Sequence, residues 1–287
     1  MRLLISLIVI GLSTLVTRAQ AVVYESDDSL LVERLLSEAP ASAGTLYFAR
    51  QFIGLPYVAH TLELLAPDEQ LIVNTRQLDC TTLVETVVAL TLCHDAGHLT
   101  FNDYIHQLQL LRYRGGTISG YTSRLHYFSD WIIDNSRRGF VDEVQQPKPP
   151  FTAVQRLNVD YMSRHPQAYA ALRQRPTLVE TIAAQERELS GITCRYIHKS
   201  AVRNTATMRR AVHDGDIIAI VSSKPGLDIA HLGFAVWRHD GLHLLNASQI
   251  HGRVVDESLT LYQYLQKHPT HVGIRVVRVK RGEGDTL

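Results

Sequence analysis

The spacing of apolar residues changes once along this chain, near Ile192, and that change limits the fold more than any other feature. Before it, apolar residues recur at helical intervals: Leu30, Leu31, Leu35 and Leu36, then Leu83, Val84, Val87 and Val88, then Tyr104, Ile105, Leu108 and Leu111. After it, residues 216–222, 231–237, 242–248, 253–256 and 273–279 read as strands, with a short helix over 261–265. Asp240-Gly241 is a hairpin signal between two of them. Helices first and strands afterwards predict an α+β fold with an antiparallel sheet. The helical part covers about 27–190 and the β part about 192–280. Residues 145–150 (QQPKPP) are the most linker-like stretch, and no internal repeat is visible.

With 287 residues the chain is long enough for a substantial core. Its 29 Lys and Arg nearly balance 28 Asp and Glu, and the 14 His are scattered. No basic or acidic run points to nucleic acid or to a charged membrane surface. Residues 1–21 read as a secretory signal: Arg2 in the charged region, an apolar stretch over 3–16, and Ala19-Gln20-Ala21 as the cleavage site. No cysteine lies near that site, so a lipid anchor is not expected. The mature chain, 22–287, is expected to be a single exported domain without stable membrane insertion.

Export changes the meaning of the three cysteines. One disulfide at most can form, leaving one thiol over. Pairing of Cys93 with Cys194 would leave Cys80 free; equally, all three stay reduced. Cys80 stands where a helix begins, because Asp79 is an N-cap candidate and Thr82 and Glu85 have capping-box spacing. Unpaired N–H groups and the positive dipole end at such a position favour a thiolate and can hold a developing oxyanion. A cysteine that simply packs is the competing reading. The loop Gly54-Leu55-Pro56-Tyr57 leads toward it, and Gly97 is a C-cap candidate for the helix.

On the strand 231–237, Leu232, Phe234 and Val236 share one face, which reads as core. His231, Gly233 and Ala235 share the other, which is small and polar and suits a cleft. Asn246 lies on the returning strand. A two-residue Asp240-Gly241 turn would leave it about 13 Å from His231 along the strand. A four-residue loop, 238–241, would place it opposite Gly233 and diagonal to His231 at ~7 Å between backbones. A Cys–His–Asn set therefore requires the longer loop or a bulge. In such a set the histidine pairs with the thiolate and protonates a leaving amine, and a neutral asparagine orients the ring.

Asp79-Cys80-Thr81-Thr82-Leu83-Val84-Glu85, residues 215–220 (GDIIAI), 231–236 (HLGFAV) and Asn246-Ala247-Ser248 resemble the NlpC-type cysteine hydrolases of bacterial cell walls. Gly54-Leu55-Pro56-Tyr57 is similar to their upstream tyrosine loop. Residues 123–131 (SRLHYFSDW) and 226–231 (GLDIAH) resemble the N-acetylmuramoyl-L-alanine amidase-like branch. The resemblance runs from about Leu30 to the C-terminus. It implies a papain-like fold, with helices packed on a C-terminal antiparallel β-barrel or sheet and a large helical insertion over about 98–190. It further implies a Cys80 nucleophile, a His231 base and a polar third residue, here Asn246 where many relatives have histidine. The implied reaction is cleavage of the amide between a muramyl lactyl group and L-Ala, with 1,6-anhydro-muropeptides as substrates in the periplasm.

Tyr57 is expected to support the oxyanion and Asp79 to cap the helix. Arg124, His126, Tyr127, Trp131 and Asp228 are expected along the substrate, with no metal and no cofactor. Two rivals remain at this point: a γ-D-glutamyl–diaminopimelate endopeptidase using the same residues, and a non-catalytic muropeptide-binding protein. A metal site at His239 and His243 is a weaker reading, since the pair flanks a turn and lacks the helical face its spacing needs.

Overall fold

The computed structural model describes residues 22–63 and 68–281; the signal segment expected over 1–21 lies outside them. The chain begins with β1 (Val22–Val23), α1 (Ser26–Glu38), α2 (Thr45–Arg50), β2 (Leu71–Ile72), α3 (Cys80–Asp95) and α4 (Phe101–Arg112). Next come α5 (Phe128–Arg137), β3 (Val141–Val144), β4 (Ala153–Arg156), α6 (Tyr161–Arg164), α7 (Ala170–Gln174) and α8 (Leu178–Leu189). The last part holds β5 (Thr193–His198), α9 (Ala206–Ala211), β6 (Ile217–Ser222), β7 (Ile229–Trp237), β8 (Leu242–Ser248), β9 (Arg253–Asp256), α10 (Leu261–Lys267) and β10 (His271–Val279). Among the described residues no helix is long and apolar enough to cross a membrane.

The main sheet is mixed into an α/β chain as one open antiparallel layer, not a closed barrel. Its order is β4-β5-β10-β6-β7-β8-β9, and β3 pairs with β10 beyond the end of β5. The expected helical insertion therefore contributes two strands of its own. β3 (VDEV) and β4 (AVQR) are short and half polar, and most of their residues are not fully buried. Such segments carry no apolar alternation to read; tertiary pairing makes them strands. The run 145–150 accordingly connects two strands of one sheet.

α3 is the central helix because its sequence is apolar on every side. Leu83, Val84, Val87, Val88, Ala89 and Leu90 are fully buried. A helix of that kind has no face to give to water and must be enclosed. Here it packs with α1, α2 and α4 against the face of the sheet that carries Ile217, Leu232, Phe234, Leu245 and Val277. The opposite face carries Ile218, Ile220, Ala235, Leu244 and Ile274, covered by Leu261 and Leu265 of α10 and by Met208 of α9. This corrects the expected cleft face of β7: Ala235 is core, and only the His231 end of that face borders the site. A third cluster, with Tyr121, Tyr127, Met162, Leu172 and Ile182, holds the 121–189 region together. All three cysteines are free thiols; Cys93 is buried on α3 and Cys194 on β5.

Candidate active site

Asp79 decides where α3 starts. Its carboxylate accepts from the Thr82 N–H at 2.8 Å, and the Thr82 hydroxyl donates back to it at 2.9 Å. The Thr82 hydroxyl also receives the Asp79 N–H at 2.9 Å, closing a reciprocal capping box. Glu85, the other capping candidate, is drawn into the core, where it accepts from Arg112 Nε at 2.6 Å. Cys80 is thus the first residue of α3. Its own N–H, the Leu232 N–H of β7 and the Thr81 hydroxyl are the donors that would stabilise its thiolate. Burial outweighs them. Together with the Asp79 charge it pushes the thiol up to about 12, so the resting sulfur is protonated. The sequence predicts a stabilised thiolate here; packing reverses the sign, because an apolar surround penalises charge more than one helix end rewards it.

A bulge aims His231. On the β6 side Ile220 pairs with His231 and Val221 with Ile229, so Ala230 is an extra residue in β7. Bulges of this kind turn a side chain away from the regular pleat. On the β8 side the ladder runs Trp237–Leu242 to Phe234–Leu245, which makes the connection a four-residue loop, 238–241. Continuing that register sets Asn246 opposite Gly233. A Cβ at Gly233 would come within 2.7 Å of the Leu245 carbonyl and 2.8 Å of the Leu244 side chain, so only glycine fits between the two polar residues. His231 Nε2 then lies 2.9 Å from Asn246 Oδ1.

The orientation of the Asn246 amide is set from behind. Asn246 is fully buried, and its Nδ2 donates to Glu257 Oε1 at 3.3 Å and toward the Leu244 carbonyl at 3.5 Å. Both partners are acceptors, so the amide oxygen faces His231 and His231 donates to it from Nε2–H. Nδ1 is left with the lone pair. Burial lowers the His231 pKa, against the upward pull of Asn246 and Glu257, so the resting ring is neutral. His268 and His271 lie near enough to interact with it; His271 is itself pushed down to about 4 by burial and by His268.

Tyr57 is held beside the cysteine by its backbone. Its N–H donates to the Gly252 carbonyl at 2.9 Å, and the next residue, Val58, donates to the Leu78 carbonyl at 3.1 Å. Burial and the neighbouring Cys80 and Asp79 raise its pKa, so the phenol remains a donor. In front of Asp79 and Thr81 lies a cavity of about 140 Å³, lined also by His60, Leu62, Glu63, Glu85, Arg124, Leu125 and His126. His60 holds a left-handed backbone (φ 63°), the one non-glycine among the described residues to do so. Such strain persists only where surrounding structure imposes it. His126 donates from Nε2 to the Tyr121 carbonyl at 3.0 Å, and burial with the Arg124 charge pushes its pKa down to about 3. It is a neutral ring at the cavity wall.

The other residues expected along the substrate do different work. The Arg124 guanidinium is already engaged, donating to the Leu62 carbonyl at 3.0 Å and to Glu63 at 2.7 Å, so it ties the 62–63 segment to the cavity wall. Tyr127 is buried and donates to Glu186 at 2.6 Å. Trp131 is fully buried and stacked on Phe128. Asp228 is buried and accepts from the Ser129 N–H at 2.8 Å. These three are core residues: the aromatic density that suggests a cleft in the sequence instead packs α5 against the sheet. His243, of the weaker metal reading, is fully buried with Nδ1 bonded to the Glu257 carbonyl and Nε2 to Asp240, each at 3.0 Å, so neither nitrogen is open to a metal.

Sequence reasoning missed Glu257, His60 and Glu63. Each lies in a loop without periodicity, and a lone acidic residue or histidine there carries no signal before the fold brings it to the site. A larger recess of about 610 Å³ shares no residue with the site; in its wall Arg278 is paired with Asp216, Lys280 with Asp142 and Arg281 with Asp95.

Residues 47–274 match the model of a family described as AmiA-like, N-acetylmuramoyl-L-alanine amidase-like. A solved N-acetylmuramoyl-L-alanine amidase from Bacteroides uniformis is 41% identical, with 82% of this chain and 97% of that one covered and a TM-score of 0.77. A Bacteroides fragilis protein named as a candidate xylanase is 40% identical, covering 82% of this chain and 100% of its own, with a TM-score of 0.76. A Legionella pneumophila protein at 22% identity, covering 88% of this chain and 93% of its own with a TM-score of 0.68, shares the fold. No curated protein matches the chain significantly.

Proposed function

This chain belongs to the AmiA-like, N-acetylmuramoyl-L-alanine amidase-like family of cell-wall hydrolases, and from that premise we propose that it is a cysteine amidase with a papain-like arrangement of Cys80, His231 and Asn246. Its substrates are peptidoglycan fragments of the 1,6-anhydro-muropeptide class, and the bond cleaved joins the muramyl lactyl carbonyl to L-Ala. The carrying observation is the His231–Asn246 hydrogen bond at 2.9 Å, with the N–H of Leu232, the residue after His231, facing the Cys80 thiol at a capped helix start. We place the mature protein, 22–287, in the periplasm as one catalytic unit.

The chemistry starts from two neutral groups. His231 Nδ1 takes the Cys80 proton as the sulfur attacks the lactyl carbonyl, so no charge is held in the apolar site before substrate arrives. The oxyanion forms at the N-terminus of α3, where the Cys80 N–H and the Tyr57 hydroxyl donate to it. Asn246 holds the resulting imidazolium through Nε2–H. The imidazolium then protonates the departing L-Ala amine, the C–N bond breaks, and a thioester remains. Water, losing its proton to His231, attacks the thioester and releases the muramyl carboxylate, and the proton returns to Cys80. The cavity lined by His60, Glu63, Glu85 and His126 takes the sugar side; its neutral imidazole and carboxylates suit hydroxyl and amide donors.

Mass spectrometry of products from a defined anhydro-disaccharide tetrapeptide tests this directly. Free anhydro-disaccharide and an intact tetrapeptide support the reading. A stem clipped after D-Glu, or an untouched substrate, overturns it.

A further inference from the structure

Glu257 sits behind the proposed catalytic residues and touches none of the groups that would meet substrate. It is 4% exposed, and its two carboxylate oxygens are divided. Oε1 accepts from Asn246 Nδ2 at 3.3 Å, and Oε2 faces His251 Nε2 at 3.3 Å. His251 is half exposed, so the row His231, Asn246, Glu257, His251 runs from the site to solvent. The Glu257 N–H is also bonded to the Leu244 carbonyl at 2.9 Å, which locks the segment to β8.

An ionised carboxylate can only accept hydrogen bonds, and an amide presents a donor on one side and an acceptor on the other. A flipped Asn246 would set its oxygen against the Glu257 carboxylate and the Leu244 carbonyl, three acceptors together in a buried place. It would also turn an NH2 toward His231, forcing Nε2 to accept and moving the ring proton to Nδ1. A ring protonated at Nδ1 has no lone pair there for a thiol proton. Each of these consequences is unfavourable, the first energetically and the second chemically.

We infer that Glu257 is a positioning residue: it fixes the Asn246 amide so that His231 is held as the Nε2–H tautomer with Nδ1 free as the base. The inference rests on the assignment of Cys80 and His231 as the reacting pair, but the tautomer can be read without any substrate. The other charged or titratable groups around the pair are Tyr57, Asp79 before α3, Tyr264 on α10, His268 after it and His271 on β10. None of them touches the Asn246 amide, so the lock is assigned to Glu257.

Long-range ¹H–¹⁵N correlation spectra of the histidine-labelled full mature protein, at a pH where His231 is neutral, test the point. The wild type is expected to show His231 protonated at Nε2; protonation at Nδ1 overturns the inference before any variant is made. Glu257→Leu removes the acceptor, and a mixture of tautomers is expected, with kcat lowered at least about tenfold and KM within about twofold, since a wrong tautomer costs transition-state stabilisation only. Glu257→Gln still offers an oxygen to Asn246, and the Nε2–H tautomer with kcat within about threefold of wild type is expected. A Glu257→Leu protein that retains the single Nε2–H tautomer overturns the inference. A protein with the expected tautomers but no amidase activity keeps the lock and removes the proposed function instead.

Discussion

His231 donates from Nε2 to Asn246 Oδ1 across a β-ladder in which the residue opposite Asn246, Gly233, has no side chain. Two local departures from regular structure make that contact: the bulge at Ala230 and the four-residue connection between β7 and β8.

Gly233→Ala should therefore damage activity more than stability. The added methyl meets the Leu245 carbonyl at 2.7 Å, so β7 and β8 must separate where His231 and Asn246 need to meet. Overpacking of this kind costs about 1–3 kcal/mol. A kcat loss of at least about tenfold, read against the thermal midpoint of the same protein, is the expected outcome. Wild-type kcat would show that the contact tolerates the shift.

Cys80→Ala should abolish product formation and leave the fold standing. Removing one half-buried sulfur packed against the core costs about 1 kcal/mol. Product mass spectrometry together with thermal unfolding separates the two effects, and a fully active variant rules out Cys80 as nucleophile.

The half-buried Cys80 thiol gives a signed pH dependence. Cys80 in the fold stands at about 12 against 9.0 for an ordinary thiol, because burial and the Asp79 charge disfavour the thiolate. Its contribution to stability is full below about 9 and is lost as pH rises through about 12. Alkylation of the free enzyme by iodoacetamide should be slow at neutral pH and climb without a neutral plateau. Asp79→Asn keeps an oxygen for the Thr82 cap and removes the charge, so alkylation at a given pH should accelerate while the thermal midpoint changes little. Unchanged alkylation would mean that Asp79 does not act on the thiol.

Acid should destabilise the protein through its buried histidines. His126 falls to about 3 and His271 to about 4, each from an ordinary 6.5, with burial as the main cause. For a depressed pKa the stability is present above the unfolded value of 6.5 and lost as pH falls toward the folded one. Each group adds a slope of up to about 1.4 kcal/mol per pH unit in that window. Denaturant midpoints of His126→Gln and His271→Gln across the window should show shallower acid losses than wild type. Parallel curves would contradict the assignment.

The order of helices before strands was legible from residue spacing, as were the start of α3 near Cys80, the glycine after its end and the strands around His231 and Asn246. These are local properties: capping and apolar period act within a few residues of one another. The same evidence pointed to a cleft at Tyr127 and Trp131, which are buried instead, since an aromatic-rich segment reads alike whether it lines a cleft or fills a core. Only the folded chain decided between them, by placing α5 against the sheet. It also chose Asp79 over Thr82 as the cap, made strands of β3 and β4 by pairing, and set Cys80 in surroundings apolar enough to keep it a neutral thiol. Glu257 belongs to this second group. Nothing within its own segment announces it, because its part depends on an amide, a ring and a bulge brought together from β7 and β8. Residue type and spacing determined which groups were available for the chemistry; long-range packing and strand register decided their burial, their protonation and which of them meet.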